Sequence, residues 1–199
     1  TYYVAVDAYE SSYGTNHDGG EYSLTTTMTE GSTSGVETED NNSVGNADAI
    51  VSGTAVKGQL SSSTDIDYFS FAATAAGSVS ITFDPTINSS GDYYTLSLLD
   101  GSGTILASQD VGKDTDFSAG VTSAGTYYVA VDAYESSYGT NHDGGEYSLT
   151  TTMTEGSTSG VETENNNSVG NADAIVSGTA VKGQLSSSTD IDYFSFAAT

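Results

Sequence analysis

The chain has 199 residues, with 3 Lys and Arg against 27 Asp and Glu, for a formal net charge of −24. A surface this negative repels phosphates and anionic lipid and has almost no basic side chains to release counterions, which excludes nucleic acid as a partner and makes cations the natural ligands. Cysteine is absent, so disulfides and thiolate metal sites are ruled out, and no apolar stretch approaches the ~20 residues that insertion into a membrane as a helix requires.

Hydrophobic residues, 36% of the chain, arrive in short alternating runs rich in Val, Ile, Tyr and Phe, the pattern of half-buried strands. The chain opens inside one such run with no signal peptide and reads as an excerpt of a longer protein. Residues 1–29 end at the stretch Glu30-Gly31-Ser32-Thr33-Ser34-Gly35, which has no apolar periodicity, and a linker is predicted over 30–36. An acidic, Asn-rich segment follows from Glu37, and 44–50 is the one place able to hold a helical turn. Strands are then predicted at 54–60, 67–72, 78–83, 93–99, 104–108, 126–133 and 146–153. Turn signals such as Asp100-Gly101-Ser102-Gly103 and Asp143-Gly144-Gly145 separate them. The fold class expected is all-β, an antiparallel β-sandwich of jelly-roll or related topology.

Residues 1–74 recur as 126–199, an offset of 125 residues, with Asp40 becoming Asn165 as the one substitution. A period this long exceeds the ~20 to 50 residues of a solenoid unit, so each repeat is expected to close its own core. The parsing is a preceding repeat's C-terminal strands at 1–29, a linker at 30–36, a complete module at 37–154, a linker at 155–161 and the start of a following module at 162–199. Neither terminal fragment carries enough strands for a core, so each needs completion by further chain or by neighbouring copies.

Three motifs in order resemble the bacterial pre-peptidase C-terminal domain. The first is Glu37-Thr38-Glu39-Asp40-Asn41-Asn42-Ser43 with Ala47-Asp48-Ala49-Ile50. The second is Gly58-Gln59-Leu60 leading into Asp65-Ile66-Asp67-Tyr68-Phe69-Ser70-Phe71. The third is Gly125-Thr126-Tyr127-Tyr128-Val129-Ala130-Val131 with the closing run Glu146-Tyr147-Ser148-Leu149. The resemblance implies a β-sandwich that serves as an accessory, binding or spacer module and is not itself catalytic.

Calcium takes six to eight oxygen ligands, and the start of the module supplies them densely. In an extended segment Glu37, Glu39 and Asn41 share one side, as do Asp65 and Asp67, because side chains alternate with period two. The resemblance implies calcium held by this acidic segment and the Asp-x-Asp strand entry, which selects Glu37, Glu39, Asn41, Asn42, Asp65 and Asp67. Their copies are Glu162, Glu164, Asn166, Asn167, Asp190 and Asp192. The change of Asp40 to Asn165 removes that position from the required charges. A second metal candidate is the loop from Asp132 to Glu146, whose Asp, Asn and Gly content also suits turns.

His17 and His142 are one residue seen twice, with no second His and no Cys nearby, which argues against zinc. No serine stands in a Gly-x-Ser-x-Gly elbow, and nothing singles out a catalytic carboxylate pair. Tyr134 and Tyr138 in the long loop are candidate stacking residues for a sugar or peptide. The functional expectation is a calcium-binding structural spacer repeat of an extracellular or cell-surface bacterial adhesin or fibre, whose partners are neighbouring copies of the same repeat. The alternatives are a carbohydrate- or protein-binding accessory module of a secreted hydrolase and a strand-exchanging filament subunit.

Overall fold

Alternation of apolar and polar residues sets which side of each strand faces the core, and the computed structural model follows it closely. It describes residues 4–6, 9–11, 14–16, 23–25, 35–136, 139–141 and 144–198. Two compact units divide the chain at Ser32. In the first, β1 (Tyr9–Ser11) and β2 (Gly14–Asn16) form an antiparallel hairpin with Tyr9 opposite Asn16.

The second unit begins at Thr33. A short 3₁₀ turn at Val44–Asn46 lies inside the 44–50 stretch where a helical turn was expected. Strands β3 (Asp48–Ala49), β4 (Ala55–Gly58), β5 (Ile66–Ala73) and β6 (Gly77–Pro85) follow, then β7 (Tyr94–Leu99), β8 (Ile105–Val111) and β9 (Thr115–Val121). The module closes with β10 (Gly125–Ser136), β11 (Gly139–Asn141) and β12 (Tyr147–Glu155). One sheet has the order β3-β5-β10-β7-β8, with β11 on the end of β10, and the other β4-β12-β6-β9. All these pairings are antiparallel except β3 with β5, so the module is an all-β sandwich as expected.

Each predicted strand is present, with ends moved by a few residues, and the module's additions are the short β3 and β11 and the seven-residue β9. Its run Thr115-Asp116-Phe117-Ser118-Ala119-Gly120-Val121 places only Phe117, Ala119 and Val121 inward, and small residues blur the alternation. The tight turn at Asp100 forms where its signal stood. The Asp100 carboxylate accepts the Ser102 and Thr104 amides at 2.8 and 2.9 Å, and Gly103 takes φ +83°, where glycine carries no Cβ penalty.

Inward residues of both sheets make the core: Phe69 and Phe71 from β5, Val79, Ile81 and Phe83 from β6, Leu96 and Leu98 from β7, Val129 and Val131 from β10. At one end Phe83 lies 5.1 Å from Tyr94 and 5.1 Å from Tyr147 between ring centroids, and Phe69 meets Tyr147 edge-on at 6.4 Å. Tyr147 thus anchors its ring in the core and carries its hydroxyl to the edge of the sandwich.

The segment 162–198 repeats the local structure of 37–73. It has a 3₁₀ turn at Val169–Asn171 and a parallel pair β13 (Asp173–Ala174) with β14 (Phe194–Ser195). Its apolar side chains stay exposed, Val169 at 80% and Phe196 at 71%, whereas Phe71, the equivalent of Phe196, is buried beneath β10 and stacked on Tyr127. Among the described residues no helix is long and apolar enough to cross a membrane.

Replacing Phe83 by Ala is expected to cost about 3–5 kcal/mol of module stability in urea denaturation, against about 0.5 kcal/mol or less for Val51→Ala at an exposed loop site.

Candidate metal centre

Asp67 stands on the core-facing side of β5, in line with Phe69, Phe71 and Ala73. A carboxylate there has left water and must be neutralised or hydrogen-bonded. Its Oδ2 lies 2.5 Å from the Tyr147 hydroxyl, while its Oδ1 is buried with no hydrogen-bond partner. The same hydroxyl is 3.4 Å from Glu37 Oε2, and its single proton serves only one of the two carboxylates.

The acidic segment is laid against this end of the sandwich by backbone pairing. The Glu37 amide donates to the Lys57 carbonyl at 2.9 Å, and the Lys57 amide donates to the Gly35 carbonyl at 3.0 Å. Further along, the Thr38 amide donates to Asp48 Oδ2 at 2.5 Å and the Tyr68 amide to the Asn41 carbonyl at 3.2 Å. Glu37 Oε1 accepts the Gln59 amide at 2.6 Å. Gly58 is required beneath this contact, since a Cβ there would collide with the Tyr147 hydroxyl and the Glu37 carboxylate. Asp40 adopts φ +72° and its copy Asn165 φ +76°, the left-handed region that Asp and Asn tolerate better than other side chains. That conformational demand explains why these two residues interchange there.

One carboxylate oxygen from each of Glu39, Asp65 and Asp67 lies within 4.8 Å of the others, the one such group of three acids among the described residues. Asp65 Oδ2 accepts the Ser61 amide at 2.6 Å, which fixes its direction at the strand entry. Asn41 is fully buried, and neither its Oδ1 nor its Nδ2 has a partner. With its amide turned to satisfy its neighbours, Asn42 Nδ2 donates to Asp65 Oδ1 at 2.8 Å and to the Ile66 carbonyl at 3.0 Å.

Burial of this much negative charge shows in the proton affinities. Asp67 is pushed up to about 8, first by burial and then by Glu37 and Asp65. Glu37 and Glu39 are also raised, again mainly by burial, with Glu39 pressing on Glu37 and Asp65 on Glu39. Burial holds the Tyr147 phenol well above its ordinary value.

The second copy assembles the same residues differently. Glu162 is 1% exposed with Oε2 unpartnered, Glu164 has a buried, unpartnered Oε1, and Asn166 repeats both orphaned amide atoms of Asn41. Burial lifts Glu162 and Glu164 to about 7 each, with Asp192 next for Glu162 and Asp190 next for Glu164. Asp190 and Asp192 are only half-buried, whereas Asp65 and Asp67 are buried, Asp67 within a strand paired to β10. Asn167 repeats the contacts of Asn42, to Asp190 Oδ1 and the Ile191 carbonyl, both at 2.7 Å.

Tyr147, Gly58 and Asp48 complete the site without having been singled out in the sequence as site residues. All three did lie inside motifs that mark the fold. Tyr134 sits in β10, half-buried, with its amide donating to the Tyr93 carbonyl at 3.1 Å, and Tyr138 lies outside the described residues. Asp132, in the second candidate loop, is half-buried and raised by burial, its carboxylate accepting the Ala133 amide at 2.7 Å. His17, His142 and Asp143 lie outside the described residues.

Comparison with known proteins supports the resemblance. The family model for the bacterial pre-peptidase C-terminal domain matches residues 65–133. Among solved structures, the 1.0 Å crystal structure of the pre-peptidase C-terminal domain of collagenase from Bacillus anthracis is 25% identical. It aligns over 53% of this chain and 93% of that one, with a TM-score of 0.41. No curated protein matches the chain by sequence.

The shift of Asp67 fixes a sign for pH dependence in chelator. Its carboxyl titrates near 3.8 ordinarily and near 8 in the fold, so between these values the folded state binds more protons than the unfolded one. Stability therefore falls as pH rises through this window and is fullest below its lower end. Urea midpoints measured from pH 4 to 9 should decline, and Asp67→Asn should flatten the decline. An equally steep decline in that variant would show that general charge repulsion, not Asp67, sets the slope.

Proposed function

We propose that the chain is part of an array of calcium-binding structural modules on a secreted or surface-anchored bacterial protein, where repetition supplies length and calcium supplies rigidity. The observation that carries the calcium reading is the convergence of the Glu39, Asp65 and Asp67 carboxylates, together with buried, unpartnered polar atoms on Asp67 and on Asn41, whose backbone carbonyl is bonded to β5 at Tyr68. Each buried polar group left without a partner costs ~1–3 kcal/mol, so a native site of this kind calls for something to fill it.

A hard cation suits the donors. They are carboxylates and amide oxygens with no His or Cys, the ligand chemistry of calcium or magnesium. The irregular spacing favours calcium, which accepts flexible geometry, over magnesium with its strict octahedron. Glu37, Glu39, Asn41, Asp65 and Asp67 would hold it, with Asn42 turning Oδ1 inward in place of its present donor. Bound calcium would supply the positive charge that lets Asp67 and Glu37 remain ionised together. The Tyr147 hydroxyl keeps its proton and holds the second oxygen of Asp67 in place.

The spacer role rests on the repeat itself. Seventy-four residues recur with one change, and an accessory domain serving a single enzyme needs few such copies. The match to a pre-peptidase C-terminal model favours a second reading, an accessory module of a secreted peptidase that holds protein or glycan. Retention of the chain on immobilised glycan or collagen separates the two, since a pure spacer retains neither. In both readings the module binds and positions, and catalysis lies elsewhere.

Calcium is expected to raise the thermal midpoint relative to chelator, by an amount equivalent to about 2.7 kcal/mol per site at a hundredfold excess over Kd. Asp67→Asn should gain stability in chelator at pH 8 yet lose most of the calcium increment. Equal midpoints in chelator and millimolar calcium would end the metal reading and leave the fold untouched. Concatenated repeats should give small-angle scattering whose maximum dimension grows in proportion to repeat number, and a compact profile would remove the spacer role.

A further inference from the structure

Sheet β4-β12-β6-β9 has two edges, and each is met by a linker segment. On the β4 side, 35–37 runs parallel to β4, exchanging hydrogen bonds between Gly35, Glu37 and Lys57. On the β9 side, the Gly120 amide points off the free edge and donates to the Glu162 carbonyl at 2.8 Å, with Gly120 opposite Thr163 in a parallel bridge. The segment 160–163 simultaneously makes the β4-side contacts of its own repeat. The Glu162 amide donates to the Lys182 carbonyl at 2.9 Å and the Lys182 amide to the Gly160 carbonyl at 2.9 Å. One residue, Glu162, therefore bonds the preceding module through its carbonyl and the following repeat through its amide.

Gly120 is suited to this approach. It lies on the outward side of β9, in line with Asp116 and Ser118, yet it is buried because the linker backbone covers it. A Cβ at Gly120 would stand 2.5 Å from the Glu162 carbonyl oxygen and 2.6 Å from Thr163 Cγ2. Gln184 Nε2 adds a bond to Gln109 Oε1 at 2.9 Å across the same junction. Glu164 and Asn165 line a cleft of about 290 Å³ with Asp100, Gly101, Leu106 and Gly120 of the module.

We propose that consecutive repeats are stitched edge to edge by the linker strand 160–163 on β9, and that calcium bound by Glu162, Glu164, Asn166, Asp190 and Asp192 locks this joint. The lock rests on the calcium reading above. Glu162 and Glu164 flank Thr163, the residue paired with Gly120, so fixing their side chains on the following repeat fixes the strand that grips the preceding module. Without the cation, the mutual repulsion of these acids works against the extended strand and the joint loosens. The partner of β9 is thus the next repeat of the same chain.

The cysteine-free chain allows a direct test, with nitroxide labels at Asp114→Cys in the module and Ser177→Cys in the following repeat, both exposed. Pulsed electron-spin distances in chelator should be broad and should narrow to a single peak when calcium chloride is added. In Gly120→Ala the distribution should remain broad in calcium, while equilibrium dialysis shows calcium still bound. If Gly120→Ala does not fold, Gln184→Ala takes its place and should leave a broader calcium-state peak than the parent. An unchanged width in the parent while calcium binds overturns the joint and leaves the calcium reading standing. Absence of bound calcium overturns both, and a Gly120→Ala peak as narrow as the parent's removes β9 as the gripping edge.

Discussion

A carboxylate on the inward face of a strand is the constraint from which the rest of the module's active end follows. Asp67 occupies a core position by register, and no burial of its side chain is tolerable without a proton, a donor or a cation. Tyr147 supplies one donor from the heart of the aromatic cluster, which ties the core to the rim: its ring packs on Phe69, Phe83 and Tyr94 while its oxygen contacts Asp67. One carboxylate oxygen from each of Glu39, Asp65 and Asp67 then lies within 4.8 Å of the others, while Asp67 Oδ1 and both amide atoms of Asn41 are buried without partners. Negative charge gathered this way is destabilising unless a proton, a donor or a cation offsets it.

Local backbone chemistry makes that gathering possible. The left-handed residue at Asp40 turns the chain between Glu39 and Asn41, so the segment changes direction just where it meets β5. Asp48 captures the Thr38 amide from the far side of the 3₁₀ turn, and Asp173 does the same for Thr163, adding a bond to the Thr163 hydroxyl. These acids are structural, and their work is distinct from that of the acids at the centre. In a chain with 27 Asp and Glu, position decides role far more than residue type does.

Period two made most of this legible in advance. It placed the strands from β4 to β8, β10 and β12, and it put Asp65 and Asp67 on one side; bringing the segment that carries Glu39 beside them was what the family resemblance implied, not what spacing showed. β9 was hidden because Ser, Ala and Gly occupy three of its seven positions and carry little periodic signal. Tyr147 was legible as a core residue, but not as a donor, because its hydroxyl reaches the acids only once β12 lies across from β5 in the other sheet. Gly120 was hidden for a deeper reason: its neighbour belongs to the next repeat, and nothing local to β9 announces a partner that far along the chain. Clusters made by adjacent strands can be read from spacing, whereas contacts between repeats cannot.

Both edges of the sheet β4-β12-β6-β9 are met by other segments of this chain. Open strand edges invite pairing with any other edge, and proteins blunt them with charge, irregularity or a covering segment. Here segment 35–37 pairs with β4 and segment 160–163 with β9, so neither edge is left fully open. The covering strand carries Glu162 and Glu164 on either side of Thr163, charge that discourages further pairing by another acidic strand. A repeat copied almost without change keeps both halves of that fit together, since the strand that covers and the edge that is covered are encoded in the same unit. Under the proposed stitching, drift in either half would expose β9, a structural reason for near-identity of the copies.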